Sequence, residues 1–260
     1  FRKAEKFFDV VTFTSASSGA TTFNHSLGVP PAFIILKATG VASSWLCYHT
    51  SLGTSKYIEL NSTAAEGSGT NWISVDSTSV TIGAGWAGTS RPYVAYLFAS
   101  DAGGFGDDDE NIIKCGSYTS TGNSVTGIDI DLGFEPQWIL QKNATGTSAT
   151  YWMIADVMRG LTAKNGTSYP SVKVLKPNTS AAEADPGILS INSTGFTSHG
   201  GFNPGDNIVY MAIRRPMKTP TAGTEVFASD TLNSTGDGAN PAYRSPFPVD
   251  MSLMKNVSNT

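Results

Sequence analysis

Charge is what this 260-residue sequence has least of: Asp, Glu, Lys and Arg together make up 15% of it, where an average soluble protein carries roughly a quarter. The balance is slightly acidic, with a formal net charge of −4 and a pI near 5.3. That excludes the basic face a nucleic-acid partner requires. Long apolar runs are missing too, and none approaches the ~18 residues of a membrane-spanning helix. Helical periodicity is nearly absent. Only two cysteines are present, at unmatched positions of the sequence repeat, so there is no repeated disulfide framework, and the three histidines show no ligand spacing that would complete a zinc site with them. Cys47 and Cys115 read as free thiols packed as small hydrophobes, with a single cross-link between them as the alternative.

What fills the space left by charge is Ser, Thr, Asn and 27 glycines. A surface solvated by hydroxyls and amides suits secreted, extracellular or virion-like β proteins. The eight Asn-x-Ser/Thr triplets follow from that composition and do not by themselves mark glycosylation.

The sequence also contains itself twice and begins a third time. Leu27-Gly28-Val29-Pro30-Pro31-Ala32-Phe33-Ile34-Ile35-Leu36-Lys37 returns as Leu132-Gly133-Phe134-Glu135-Pro136-Gln137-Trp138-Ile139-Leu140-Gln141-Lys142, and more faintly as Phe247-Pro248-Val249-Asp250-Met251-Ser252-Leu253-Met254-Lys255. Asn61-Ser62-Thr63-Ala64-Ala65-Glu66 matches Asn178-Thr179-Ser180-Ala181-Ala182-Glu183, and Tyr93-Val94-Ala95-Tyr96 is aligned with Tyr210-Met211-Ala212-Ile213. The offset is 105 residues early in the repeat and 117 late in it. A period of that size is a domain, not a solenoid turn.

Within each copy, short runs of Val, Ile, Tyr, Phe, Trp and Thr alternate with Gly, Pro, Asn and Ser clusters, the pattern of strands and turns. The first copy predicts strands at residues 8–14, 33–37, 45–49, 57–60, 72–75, 80–82 and 93–98. The second predicts them at residues 113–118, 128–131, 138–142, 151–154, 172–175, 188–191 and 208–214. A single helical turn is expected at Asp156–Arg159, closed by Gly160. The Leu-Gly-x-x-Pro segment reads as a corner before a central strand, and the continuous runs after it call for cover on both faces. Trp45 and Trp152 are expected to anchor the two cores. The fold class that follows is all-β: tandem antiparallel β-sandwich, jelly-roll-like modules, two complete and the start of a third. Boundaries fall at 1–100 for the first module, 101–110 for a Gly/Asp-rich linker, 111–216 for the second module, 217–223 for another linker and 224–260 for a truncated third. A module broken off within its core could not stay folded alone, so the chain is expected to be a stretch of a longer polypeptide.

No constellation for catalysis is found. Gly-x-Ser-x-Gly is missing, and His25, His49 and His199 lie among turn residues without partners at useful spacing. Glu66 and Glu183 recur, but an acid flanked by alanines and hydroxyls more often satisfies a loop than performs chemistry. Asp107–Glu110 could attract calcium, yet it lacks an EF-hand frame and reads as a solvated linker. Gly83–Gly88 has neither the Lys nor the helix of a phosphate loop. The speculative ligand-binding residues are Trp86 and Trp72, as platforms for sugar stacking, with Asn71, Asp76 and Arg91 near enough in sequence to supply polar partners. No metal and no cofactor is expected.

Residues 7–14 (Phe-Phe-Asp-Val-Val-Thr-Phe-Thr), 25–37 and 60–65, followed by Ile112-Ile113-Lys114-Cys115-Gly116-Ser117-Tyr118-Thr119, resemble repeated β domains of virion proteins from tailed bacteriophages, marine and cyanobacterial ones in particular. The likeness covers nearly the whole chain, and its motifs are structural. The resemblance implies a non-enzymatic virion structural protein, a tail fibre or other surface appendage contributing to assembly and host attachment. Its partners would be other virion proteins, copies of itself (a trimer by analogy with appendages) and a host surface glycan. The rival reading is the carbohydrate-binding region of a larger glycan-degrading or lectin-like protein.

Overall fold

The computed structural model describes residues 2–105, 110–123, 125–146, 151–164, 172–185 and 188–214, with 223–225, 227 and 229 beyond them. The chain forms two compact units, Phe1–Pro216 and Met217–Thr260. In the second, one 3-10 turn at Gly223–Glu225 is described. The expected third module, with its central strand at 251–255, lies outside the described residues, as does most of the expected linker at 217–223.

The first unit is all-β and antiparallel. Its first repeat contributes β1 (Phe8–Thr14), β2 (Thr21–Asn24), β3 (Phe33–Ala38), β4 (Leu46–His49), β5 (Lys56–Glu59), β6 (Gly67–Ser68), β7 (Ile73–Val75), β8 (Ser79–Ile82) and β9 (Pro92–Phe98). The second contributes β10 (Ile113–Thr119), β11 (Ile128–Asp131), β12 (Pro136–Asn143), β13 (Trp152–Asp156), β14 (Leu189–Asn192), β15 (Gly195–Ser198) and β16 (Asn207–Arg214). Main sheet β1-β9-β3-β4, extended by β5 and β6, matches main sheet β10-β16-β12-β13 strand for strand. Lid sheet β2-β8-β7 likewise matches β11-β15-β14. In both repeats the first strand pairs with the last and the second with the next to last, the interlocked connectivity of a jelly roll. Each repeat is therefore a β-sandwich.

Alternation along the strands divides each main sheet into two faces. Phe13 stacks on Phe23 of the lid at 4.2 Å and on Tyr93 at 5.3 Å, and Tyr48 meets Trp72 at 6.4 Å. Those residues define the inner face of the first sandwich. In the second, Ile139, Met153, Ala155, Ile208, Tyr210 and Ala212 pack inward with Phe196 and Leu189. The opposite face, with Cys115, Leu140, Trp152, Val209 and Met211, joins the core of the first repeat.

The Leu-Gly corner forms as its sequence requires. Gly28 and Gly133 adopt φ of 76° and 78°, a left-handed conformation that a side chain disfavours. Leu27 and Leu132 plug the two sandwiches at 0% and 2% exposure. The helical turn is present at Val157–Arg159, with the Asp156 carboxylate accepting the Arg159 N–H at 3.0 Å and Gly160 at φ 93°.

Four expectations need correction. Residues 172–175 form no strand; Val174 and Leu175 make only isolated bridges, to Ala184 and Ile154. Strands β2 and β15, an edge and the centre of their lids, lie outside the expected strands: four residues in which a single Phe stands among Thr and Asn, or among Gly, Thr and Ser, carry little hydrophobic signal. The late alignment is also shifted by two. Ile35 pairs with Tyr96, and Leu140 with Met211, so Tyr96 corresponds to Met211 and the structural offset is 115. A slip of two leaves every side chain on its own face, which is why the sequence match conceals it. Finally, Trp45 is half-exposed, with the Lys37 ammonium 5.7 Å from its ring. It anchors no core.

Candidate functional site

The most constructed feature of the molecule is the seam between the two sandwiches. The first sandwich does not meet the second face to face. It seats one end on the outer face of the second main sheet, with Phe33 and His49 against β12, β13 and β16 and the turn Thr50–Leu52 against β10. Phe33 lies 6.1 Å from the Trp152 ring. The Trp152 indole N–H donates to the Glu59 carbonyl at 2.8 Å, the Glu66 N–H to the Ala144 carbonyl at 2.8 Å, and the Lys142 ammonium to the Thr63 carbonyl at 3.4 Å. Segment 59–66 therefore clamps the rim of the second sheet through its main chain.

His49 closes the centre. Its Nδ1 accepts the Ser51 N–H at 3.2 Å, which assigns the ring proton to Nε2, and Nε2–H donates to the Tyr210 carbonyl at 3.0 Å. Burial lowers its pKa to about 4 although the Tyr210 carbonyl favours the cation. Lys142 is also fully buried, and desolvation lowers its pKa to about 8. Neither residue was singled out from the sequence. A lysine ending an apolar strand that is covered on both sides was the available signal.

Trp86 and Trp72, the candidate sugar platforms, come together beside the β5–β6 hairpin of the first sandwich. Trp72 is fully buried and its indole N–H donates to the Lys56 carbonyl at 2.8 Å. It has no face open to a ligand. Trp86 is half-buried, 6.0 Å from Trp72 and 5.3 Å from Tyr57, with its ring lying over Gly69, where a Cβ would come within 2.4 Å of it. The Asp76 carboxylate is committed to the β7–β8 turn, accepting from the N–H and hydroxyl groups of Thr78 and Ser79. Those donors hold its pKa below the usual carboxylate range.

The recurring acids have structural partners. Glu66 pairs with Lys56, and Glu183 with Arg159 at 2.6 Å. The asparagine that opens each motif does the same thing twice: Asn61 Oδ1 accepts the Trp45 N–H at 2.8 Å, and Asn178 Oδ1 the Trp152 N–H at 3.1 Å. Of the acidic run, Asp107–Asp109 lie outside the described residues, while Glu110 faces Arg214 at 3.4 Å. Among the described residues, no group of three or more His, Cys, Asp and Glu side chains is placed to hold a metal. Cys47 and Cys115 are free and buried, and burial pushes both thiols up. The Ser190 hydroxyl lies 2.8 Å from His199 Nε2, and both residues are buried.

These features define a class: paired jelly-roll-like sandwiches whose polar side chains go to corners, clamps and a joint. The chain belongs to the DUF7483 family, a domain of unknown function, whose model matches residues 3–215. That span runs across both repeats and ends where the first compact unit ends. No curated protein matches the sequence. Among solved structures, a chain from the atomic structure of Sulfolobus Turreted Icosahedral Virus aligns over 81% of this chain and 90% of its own, at 9% identity and a TM-score of 0.25. A superposition of that quality carries no argument.

Proposed function

We propose that this protein is a non-enzymatic structural component of a phage virion, part of a tail fibre or comparable surface appendage that contributes to assembly and host attachment. The observation that carries the reading is the joint. One sandwich is fixed on the next through three bonds that use main-chain carbonyls or N–H groups, Trp152 to Glu59, Glu66 to Ala144 and Lys142 to Thr63, and through a buried histidine. Such a joint sets a defined angle and spacing between modules, as a strut requires. The sequence likeness to repeated phage domains, the low charge, and the assignment of both recurring acids to ion pairs support it. Antibodies against the chain should label appendages on purified particles of the virus that encodes it. Chain found only in the soluble fraction of the lysate, and absent from particles, would overturn the proposal.

One observation favours a second reading, a carbohydrate-binding region. The half-exposed Trp86 ring is presented on an aromatic base of Tyr57 and Trp72, and aromatic faces are what sugar rings stack on. A glycan array decides this: binding to one sugar class that disappears in Trp86→Ala supports it, and no binding by the unaltered chain removes it.

A further inference from the structure

The outer face of the second main sheet is covered; its counterpart on the first is not. Strand registers give the correspondence. Val10, Ile35, Lys37, Trp45, Val94 and Tyr96 stand where Cys115, Leu140, Lys142, Trp152, Val209 and Met211 stand in the second repeat. The second set is buried at every position, with exposures from 0% to 7%, because the end of the first sandwich sits on it. Each member of the first set is only half-buried. We infer that this face of the first sandwich is a docking surface for the end of another module of the same kind, supplied by a second copy of this chain.

The structure shows what such an end looks like when seated, and the chain carries a second one. The positions of Thr50 and Ser51, in the turn that seats on the second sandwich, are taken in the second repeat by Val157 and Met158, which are 41% and 92% exposed. Beside them Arg159 is shared by the carboxylates of Asp156 and Glu183, which presents carboxylate oxygens at that end. In this set on the receiving face Lys37 is the charged group and Trp45 and Tyr96 are the aromatic ones, among Val10, Ile35 and Val94. Exposed methionine against aromatic rings, and acid against ammonium, are favourable on both counts. The contact is heterologous: face and end are different surfaces, so copies would join head to tail and extend as a filament or close as a ring. The inference depends on module packing alone and is read on purified chain, independently of any particle.

Sedimentation of the full chain is expected to show mass rising between about 1 and 100 µM, the range in which a modest heterologous contact is populated. Trp45→Glu, which disables the face, and Met158→Glu, which disables the end, should each remain monomeric. Mixed, they should form a one-to-one dimer and stop there, since each retains the half the other lost. Met158 is so exposed that its replacement leaves folding untouched; if circular dichroism shows Trp45→Glu unfolded, Lys37→Glu takes its place. A chain monomeric throughout the range, association that survives the face variant, or a mixture that forms no dimer would each overturn the inference.

Discussion

Trp45 and Trp152 occupy the same place in the two repeats, each with its main-chain N–H held by the asparagine of the shared motif, yet one is half-exposed and the other is 2% exposed. The same holds for Lys37 and Lys142. What differs is the neighbour: the first sandwich lends its end and segment 59–66 to the second, and receives nothing equivalent from it. A repeated sequence thus produces two unequal environments, and the inequality is what makes a joint directional.

The comparison is broken most severely at the tryptophans. Trp152→Ala removes a buried indole and leaves the Glu59 carbonyl without its donor, so unfolding in denaturant should show a loss of about 3–5 kcal/mol. Trp45→Ala, measured on dilute chain, should cost under about 1 kcal/mol. Equal losses would mean that the two environments are alike after all.

Acid tests the joint next. His49 has a folded pKa of about 4 against an ordinary value of 6.5, so the unfolded chain binds the proton more readily. The stability tied to neutral His49 is intact above pH 6.5 and erodes as the pH falls from there to about 4, the loss reaching about 3 kcal/mol at the bottom of that window. Asp156 stands at the corresponding position of the second repeat and lies outside the joint. In His49→Gln this part of the pH dependence should be flattened; if thermal unfolding from pH 7 to 4 is the same in both proteins, His49 is not the titrating group.

Smaller and symmetrical effects are expected where the repeats agree. Asn61→Ala and Asn178→Ala each delete one side-chain acceptor from a tryptophan N–H, and each should cost about 1 kcal/mol. A cost at one site only would show that the shared motif serves different ends. Least of all, Gly133→Ala should lower stability by about 1 kcal/mol through its left-handed backbone. Gly28→Ala should cost somewhat more, because the new Cβ also meets the Glu5 carboxylate at 2.6 Å.

Much of the fold was legible in the residues. Strands β1, β3, β9, β11 and β12, the Leu-Gly corner and the turn at Val157–Arg159 follow from alternation, glycine conformation and capping, all of which are local. The lid strands β2 and β15 were not legible, since residues such as Thr22 and Thr197 look like turn chemistry until a sheet forms beneath them. The candidate site fared less well. Trp72 and Trp86 do meet, but the former is sealed inside, and spacing in sequence cannot report which way a ring faces.

By itself, then, the sequence determined that this is a duplicated β protein, which residues form its central strands and which glycines turn its corners, because those properties depend on neighbours along the chain. Only the tertiary structure decided that one sandwich would stand on the other, that Lys142 and Trp152 would be buried while Lys37 and Trp45 stayed half-exposed, and that His49 would become a neutral clasp. Those outcomes depend on surfaces about a hundred residues apart being brought together, and no local pattern encodes which copy covers and which is covered.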